Sequence, residues 1–159
     1  MGQLLGKETL FSYIDKFGFG RKTGVDLNGE GKGIIFNLNQ VGNVELATTA
    51  FGQGVSVTPI QQVAAVSAVV NGGTLYEPYI VKSISEKETG SIIEQTKKKK
   101  IRQVISKKTS RIMRHALESV VAKGGGKSAY IEGYRIGGKT GTAQKVKDEA
   151  GWKEYVAKK

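Results

Sequence analysis

The spacing of hydrophobic positions predicts helices in several parts of this chain. Residues 5–20 place apolar side chains three and four positions apart, and Gly18 then favours the end of that helix. A glycine-rich loop is predicted at 21–33, followed by a short helical stretch within 44–54. A longer amphipathic helix is predicted within 106–126, where a run of glycines ends it.

Residues 58–73 carry the clearest boundary signals of a further helix. Thr58 is a natural N-cap, Pro59 suits the first helical position, and Gln61 completes a Thr-x-x-Gln capping box. The helix is predicted to end at Asn71–Gly73, because asparagine and glycine are typical of helix ends. Its side chains are apolar nearly all round, so we expect this helix to be buried.

Alternating β-branched residues predict strands in the second half of the chain. Residues 74–86 and 91–106 should form two or three short strands, with a turn at Glu88–Gly90. Another strand is predicted from about 139 to 145, after the pair Gly137–Gly138.

Composition is that of an ordinary globular domain. Hydrophobic residues make up 38% of the 159 residues and charged residues 25%. No apolar run is long enough to span a bilayer, and the first residues lack the pattern of a signal peptide. Cysteine is absent, which excludes disulfides, thiolate metal sites and a cysteine nucleophile. The single histidine, His115, falls in a predicted helix, and we interpret it as a packing or surface residue.

The chain is strongly basic, with a formal net charge of +11. Basic residues are concentrated at 97–111, and such a run can bind phosphates or an anionic polymer. Proteins that bind single-stranded nucleic acid usually add aromatic side chains for stacking, and this run has none. We therefore interpret it as a solvated surface and expect no nucleic-acid partner, while a basic binding module remains an alternative.

The stretch RIGGKTGTAQK, residues 135–145, combines groups suited to binding a carboxylate and an acyl group. On an exposed strand beside a cleft, Lys139 would project an ammonium group, and Gly141 would let a substrate backbone approach closely. The backbone N–H of Thr142 could face a developing oxyanion. Alone, Lys-Thr-Gly is equally typical of an ordinary strand that starts after a glycine turn.

The context of this motif resembles one enzyme family. GYRIGGKTGTAQK (133–145), FGQGVSVTPIQQVAAVSAVVNGGTLYEPYIVKSI (51–84) and LGKETLFSYIDKFGFGRKTGVDLNGE (5–30) are similar to consecutive blocks of the transpeptidase domain of class B penicillin-binding proteins. The Gram-positive division and sporulation types are especially similar. The resemblance implies an α/β (α+β) fold, a partial penicillin-binding-protein transpeptidase or serine β-lactamase-like fold, with an antiparallel sheet flanked by helices.

The resemblance also implies an activity. Members of this family are D,D-transpeptidases that cross-link peptidoglycan stem peptides at D-Ala-D-Ala through an acyl-serine, and β-lactams acylate them. It implies no cofactor and no metal, and a place at the extracytoplasmic face of the bacterial cell membrane through an anchor outside this chain. It leaves open whether the enzyme serves division, elongation or spore cortex.

By matching position, the resemblance assigns roles to six residues. Lys139 and Thr140 hold the terminal carboxylate of the substrate and assist proton transfer, while Gly141 leaves space. The N–H of Thr142 forms half of the oxyanion hole. Phe51 and Gln53, of the family's Phe-Gly-Gln-Gly segment, are expected near the groove.

This sequence lacks two motifs of the family: Ser-x-x-Lys, which carries the nucleophilic serine, and Ser-x-Asn. No serine is followed three positions later by lysine, and none is followed two positions later by asparagine. We therefore interpret residues 1–159 as the C-terminal portion of a transpeptidase domain, truncated at both ends, and predict that it is not acylated on its own. Exposed sheet edges should then favour self-association. A non-catalytic scaffold or sensor relative is the other alternative.

Overall fold

The structure is a computed structural model and describes residues 2–141. The described part of the chain alternates helices with short antiparallel strands. The helices are α1 (Gly2–Leu5), α2 (Lys7–Lys16), α3 (Asn43–Ala50), α4 (Pro59–Val70) and α5 (Lys107–Ala122). The strands are β1 (Thr74–Tyr76), β2 (Ser83–Ser85), β3 (Ile92–Gln95) and β4 (Lys100–Gln103), and short 3-10 turns lie at Leu38–Gln40 and Lys127–Ala129.

The strands form two separate antiparallel pairs. β1 pairs with β4, and β2 pairs with β3. The expectation of two or three strands was wrong, because each of the two predicted segments divides into two strands. The chain leaves the first sheet after Tyr76 and enters the second at Ser83, so one alternating run serves two sheets. Small antiparallel sheets flanked by helices confirm the predicted fold class.

The core lies between α4, the β1–β4 sheet and the end of α2. Ala68, Leu75 and Val104 are buried there, and Phe17 packs against them from the end of α2. Burying a leucine side chain contributes about 2 kcal/mol, so Leu75 is a main anchor of the sheet on α4. The predicted end of α2 is confirmed, since Phe17 is its C-cap and Gly18 follows with a positive φ of 86°.

The boundaries of α4 match those predicted from the sequence. The Thr58 Oγ1 atom accepts a hydrogen bond from the Gln61 N–H at 3.3 Å, and Gln61 Oε1 accepts one from the Thr58 N–H at 2.9 Å. The expectation that α4 is buried was wrong for part of its surface. Ala65 is 5% exposed, whereas Val63 on another face is 60% exposed. Within residues 2–141, β1 and α5 are the elements that pack closely on α4, and they leave part of its circumference uncovered.

Gln61 also ties the glycine-rich loop 21–33 to α4. Its side chain is almost fully buried, and its Nε2 group donates to the carbonyl oxygens of Arg21 at 2.6 Å and Lys32 at 2.9 Å. All the hydrogen-bonding capacity of this amide nitrogen is used. One side chain therefore caps a helix and fixes a loop.

The hairpin formed by β2 and β3 is attached to this loop by Asp26. Asp26 Oδ1 accepts from the Ile80 N–H at 2.7 Å, and Oδ2 accepts from the Val81 N–H at 2.9 Å. The bonds from Val81 and Ile80 stabilise the carboxylate and lower the pKa of Asp26 below its ordinary value. The chain is thus held just before it enters β2.

Candidate functional site

The segment that carries Lys-Thr-Gly, residues 135–141, is positioned by α5. The Ser106 Oγ atom accepts from the Thr109 N–H at 3.0 Å and caps the start of this helix. The fully buried Ser110 donates its hydroxyl to the carbonyl oxygen of Val69 at 2.6 Å and accepts from the Gly72 N–H at 3.0 Å. These bonds fix α5 against the C-terminal end of α4.

Residues 135–138 return along α5 and are bonded to it at two points. The Gly138 N–H donates to the Leu117 carbonyl oxygen at 3.1 Å. Arg135 donates from Nε to Glu118 Oε1 at 2.7 Å and from its terminal nitrogen to Oε2 at 2.6 Å. The hydrogen bond from Arg135 lowers the pKa of the Glu118 carboxyl, and Glu118 raises the pKa of the guanidinium. Paired bonds of this kind fix orientation as well as distance.

Gly137 lets the segment lie directly on the helix. A Cβ atom at this position would lie 3.1 Å from the Leu117 Cβ and 3.3 Å from the Glu118 backbone nitrogen. A side chain here would crowd Leu117 and Glu118, so the segment would have to shift away from α5 by a few tenths of an ångström.

We expect Gly137→Ala to loosen the segment and lower the free energy of unfolding by about 1–3 kcal/mol. Gly138→Ala is the matched control, because its Cβ would lie 3.5 Å from Val121 Cγ2, an ordinary contact. Urea unfolding measures stability, and hydrogen exchange at the Gly138 amide reports the local bond to Leu117. Equal losses in both variants, with unchanged exchange, would contradict this account.

Lys139, Thr140 and Gly141 follow directly and are exposed. The Lys139 Nζ atom donates to the Thr140 carbonyl oxygen at 3.0 Å and lies 3.2 Å from the Thr140 hydroxyl oxygen. A Cβ atom on Gly141 would meet nothing within 4 Å. The structure therefore places the Lys139 ammonium beside the Thr140 hydroxyl, next to an unobstructed position at Gly141. Thr142 lies outside the described residues.

The strand predicted from 139 to 145 is not formed over 139–141, and the rest of that stretch lies outside the described residues. The prediction was wrong for those three residues. The physical reason is that the preceding backbone bonds to the side of α5 at Leu117, and no strand among residues 2–141 pairs with it. The motif is presented by a helix surface rather than by a sheet in the described part of the chain.

Lys139 borders a groove of about 770 Å³ between α4, α5 and the 135–139 segment. Its walls are largely apolar and its rim carries charged groups. The walls include Val66, Val69, Val70, Met113 and Leu117, and the rim carries Arg114, Glu118, Arg135 and Lys139.

Phe51 and Gln53 are not among the residues that line this groove. Phe51 is the C-cap of α3 and is 67% exposed, while Gln53 is half-buried and donates its backbone N–H to the Thr48 carbonyl oxygen at 2.9 Å. Gly54 follows with a φ of 73°, and the Phe36 ring lies 2.9 Å from where its Cβ would be. The segment is therefore held on α3 against Phe36, and the substrate role of Phe51 and Gln53 stays a prediction.

His115 lies on the exposed surface of α5, as expected. Its Nδ1 atom is 3.9 Å from Glu118 Oε2. Across residues 2–141, no helix combines the length and the apolar character needed to cross a bilayer.

Sequence patterns did not identify Ser110, Glu118 or Arg135. Glu118 and Arg135 are 17 positions apart, and their contact arises only when the chain turns back along α5. The one local signal is the Gly137–Gly138 pair, which indicates close approach to another backbone without showing which one.

The sequence profile of the penicillin-binding protein transpeptidase domain matches residues 1–157 of this chain. The chain belongs to the penicillin-binding protein transpeptidase family. Stage V sporulation protein D of Bacillus subtilis is 65% identical over 148 residues, which are 93% of this chain and 23% of that protein. Peptidoglycan D,D-transpeptidase FtsI of Escherichia coli K12 is 33% identical over 150 residues, 93% of this chain and 24% of that protein.

Solved structures agree with this assignment to the class B penicillin-binding proteins. Penicillin-binding protein 3 of Mycobacterium tuberculosis, crystallised with ampicillin, superposes with a TM-score of 0.85 at 33% identity. The match covers 94% of this chain and 34% of the crystallised chain. The resemblance to this family, including its sporulation and division types, is confirmed. The chain spans about a quarter of the length of the curated relatives it matches.

Proposed function

We propose that this chain is part of a D,D-transpeptidase that cross-links peptidoglycan stem peptides through an acyl-serine and is acylated by β-lactams. The observation that carries the proposal is the exposed pair Lys139 and Thr140, which directly follows the bond from Gly138 to α5 in a chain of this family. The ammonium and hydroxyl lie 3.2 Å apart, and this spacing allows both to bind one carboxylate.

The chemistry of each group supports a specific role. Lys139 supplies a positive charge and Thr140 a hydroxyl donor to the terminal carboxylate of the stem peptide, and both assist proton transfer. The open space at Gly141 accommodates the substrate backbone. The N–H of Thr142 donates to the oxyanion, and Phe51 with Gln53 contacts the substrate.

The nucleophile is not among the serines of this sequence, since none is followed three positions later by lysine. We propose that residues 1–159 form the C-terminal portion of a transpeptidase domain, truncated at both ends. The enzyme works on the extracytoplasmic face of the cell membrane, with its anchor outside these residues. The 65% identity to a sporulation protein favours a role in the spore envelope over division.

Covalent labelling with a fluorescent penicillin tests this proposal. The whole protein, produced with the residues that precede this chain, should be labelled at one serine per molecule. The 159-residue chain alone should stay unlabelled under the same conditions.

The two samples separate the alternatives. An unlabelled whole protein would contradict transpeptidase activity and favour a scaffold or sensor role. A stoichiometric adduct on the 159-residue chain would contradict the assignment of the nucleophile to other residues.

A further inference from the structure

The β2–β3 hairpin is exposed to solvent along its whole length. Every residue from 80 to 95 is exposed, including Ile84 and Ile93, which are 48% and 70% exposed. Within residues 2–141, no third strand lies beside β2 or β3. An isolated two-stranded hairpin is only marginally stable in water, so a further strand would stabilise it.

The backbone of β2 presents defined groups to its open edge. The Lys82 carbonyl oxygen accepts from the Thr96 N–H at 3.0 Å, and the Glu86 N–H donates to the Ser91 carbonyl oxygen at 2.9 Å. Both residues therefore direct their backbone groups towards β3. Because this direction alternates along a strand, Ser83 and Ser85 direct their N–H and carbonyl groups outwards.

The sequence of this edge is complementary to itself when read in the antiparallel direction. Residues 82–86 read Lys-Ser-Ile-Ser-Glu. We propose that two copies of this chain pair through β2, antiparallel, about a two-fold axis at Ile84. Lys82 of each copy then faces Glu86 of the other, and each Ser83 faces Ser85.

This register provides partners for the outward-facing backbone N–H and carbonyl groups of β2, in addition to pairing opposite charges. The Ser83–Ser85 pairs exchange N–H and carbonyl bonds across the interface, because these are the residues whose groups point outwards. Ile84 meets its symmetry mate as the non-hydrogen-bonded pair, where side chains approach most closely. A parallel pairing in register would place Lys82 against Lys82, so charge selects the antiparallel arrangement.

The other edge of the hairpin does not offer this match. Ile84 pairs with Glu94 and Ser85 with Ile92, so Ile93 is an extra residue that bulges from β3. Bulges disrupt edge pairing. Asp26 holds the amides of Ile80 and Val81 just before β2, so the pairing edge is already ordered before association.

Charge reversal tests the proposed register by sedimentation equilibrium of the 159-residue chain. Lys82→Glu places two like-charged pairs at the interface and should weaken dimerisation about tenfold. Glu86→Lys should do the same. The double variant Lys82→Glu with Glu86→Lys restores opposite charges and should return the dissociation constant to within about threefold of the wild type.

A single-cysteine experiment tests the same axis without changing charge, since the chain has no native cysteine. Ile84→Cys should form a disulfide-linked dimer under mild oxidation, because non-hydrogen-bonded partners have Cα atoms about 4.5 Å apart. Ile93→Cys on the bulged strand is the matched control and should cross-link far more slowly.

Each result decides the proposal, which does not depend on the transpeptidase assignment. Concentration-dependent dimers, rescue by the double variant and selective cross-linking at position 84 support it. A monomeric wild type, a double variant no tighter than the single variants, or equal cross-linking at positions 84 and 93 overturns it.

Discussion

Lys139→Ala is expected to slow acylation of the whole protein by penicillin about 100- to 1,000-fold. The variant loses the ammonium group that lies 3.2 Å from the Thr140 hydroxyl. In the proposed site this group is the charged partner of the substrate carboxylate. Preorganised polar groups of this kind typically contribute a few kcal/mol to transition-state stabilisation. Stopped-flow measurement of the second-order acylation rate provides the number.

Two control variants show whether a slower acylation rate is specific to the charge at position 139. Lys123→Ala removes another exposed lysine just beyond α5 and should leave the rate within about twofold. Lys139→Arg keeps the charge but changes its shape, so it should recover only part of the rate. A rate unaffected by Lys139→Ala would remove this residue from the proposed site.

Gln61→Glu is expected to lower the free energy of unfolding by about 2–4 kcal/mol at neutral pH. The shape is preserved, but a carboxylate oxygen then faces the carbonyl oxygens of Arg21 and Lys32 at distances where the amide now donates. Burial and these two acceptors disfavour the charged form, so the pKa of the new carboxyl is raised in the folded state. The deficit should therefore shrink as the pH falls and the group binds a proton.

Chemical denaturation from pH 4 to pH 8 measures this effect, with Gln62→Glu as the control. Gln62 is the next residue of α4 and is exposed, so its substitution should change stability by less than about 0.5 kcal/mol. A Gln61→Glu protein as stable as the control at pH 8 would show that the loop 21–33 does not depend on this amide.

Features that depend on residues close together in the sequence, such as helix starts, could be predicted from the sequence. Thr58 and Gln61 define the start of α4 through bonds within one turn, with Pro59 at the first helical position, and these bonds are present. The second function of Gln61 could not be predicted, because its partners Arg21 and Lys32 are about 30 to 40 positions away.

The same limit explains the errors and omissions at the candidate site. The small and apolar residues of α4 indicated burial, but packing of α5 and β1 on one part of the helix decides which side chains are covered. The motif Lys139–Gly141 was recognisable from its neighbours in sequence. Its attachment to α5 through Arg135 and Glu118 arises because the chain turns back along this helix, and the spacing of hydrophobic residues does not predict that turn.

The helix α5 is bonded to α4 at Ser110 and to the motif segment at Leu117, so a small tilt at the serine moves the motif. Ser110 holds α5 at the end of α4, and Leu117, which binds the Gly138 amide, lies two turns further along the same helix. Seven residues of helix span about 10 Å, so a tilt of about 5° at the serine displaces the motif by about 1 Å. Displacements of that size are enough to slow a reaction substantially. The hydrogen bonds of Ser110 to Val69 and Gly72 should therefore influence the position of Lys139, although they lie two helical turns away from the residue that binds the motif segment.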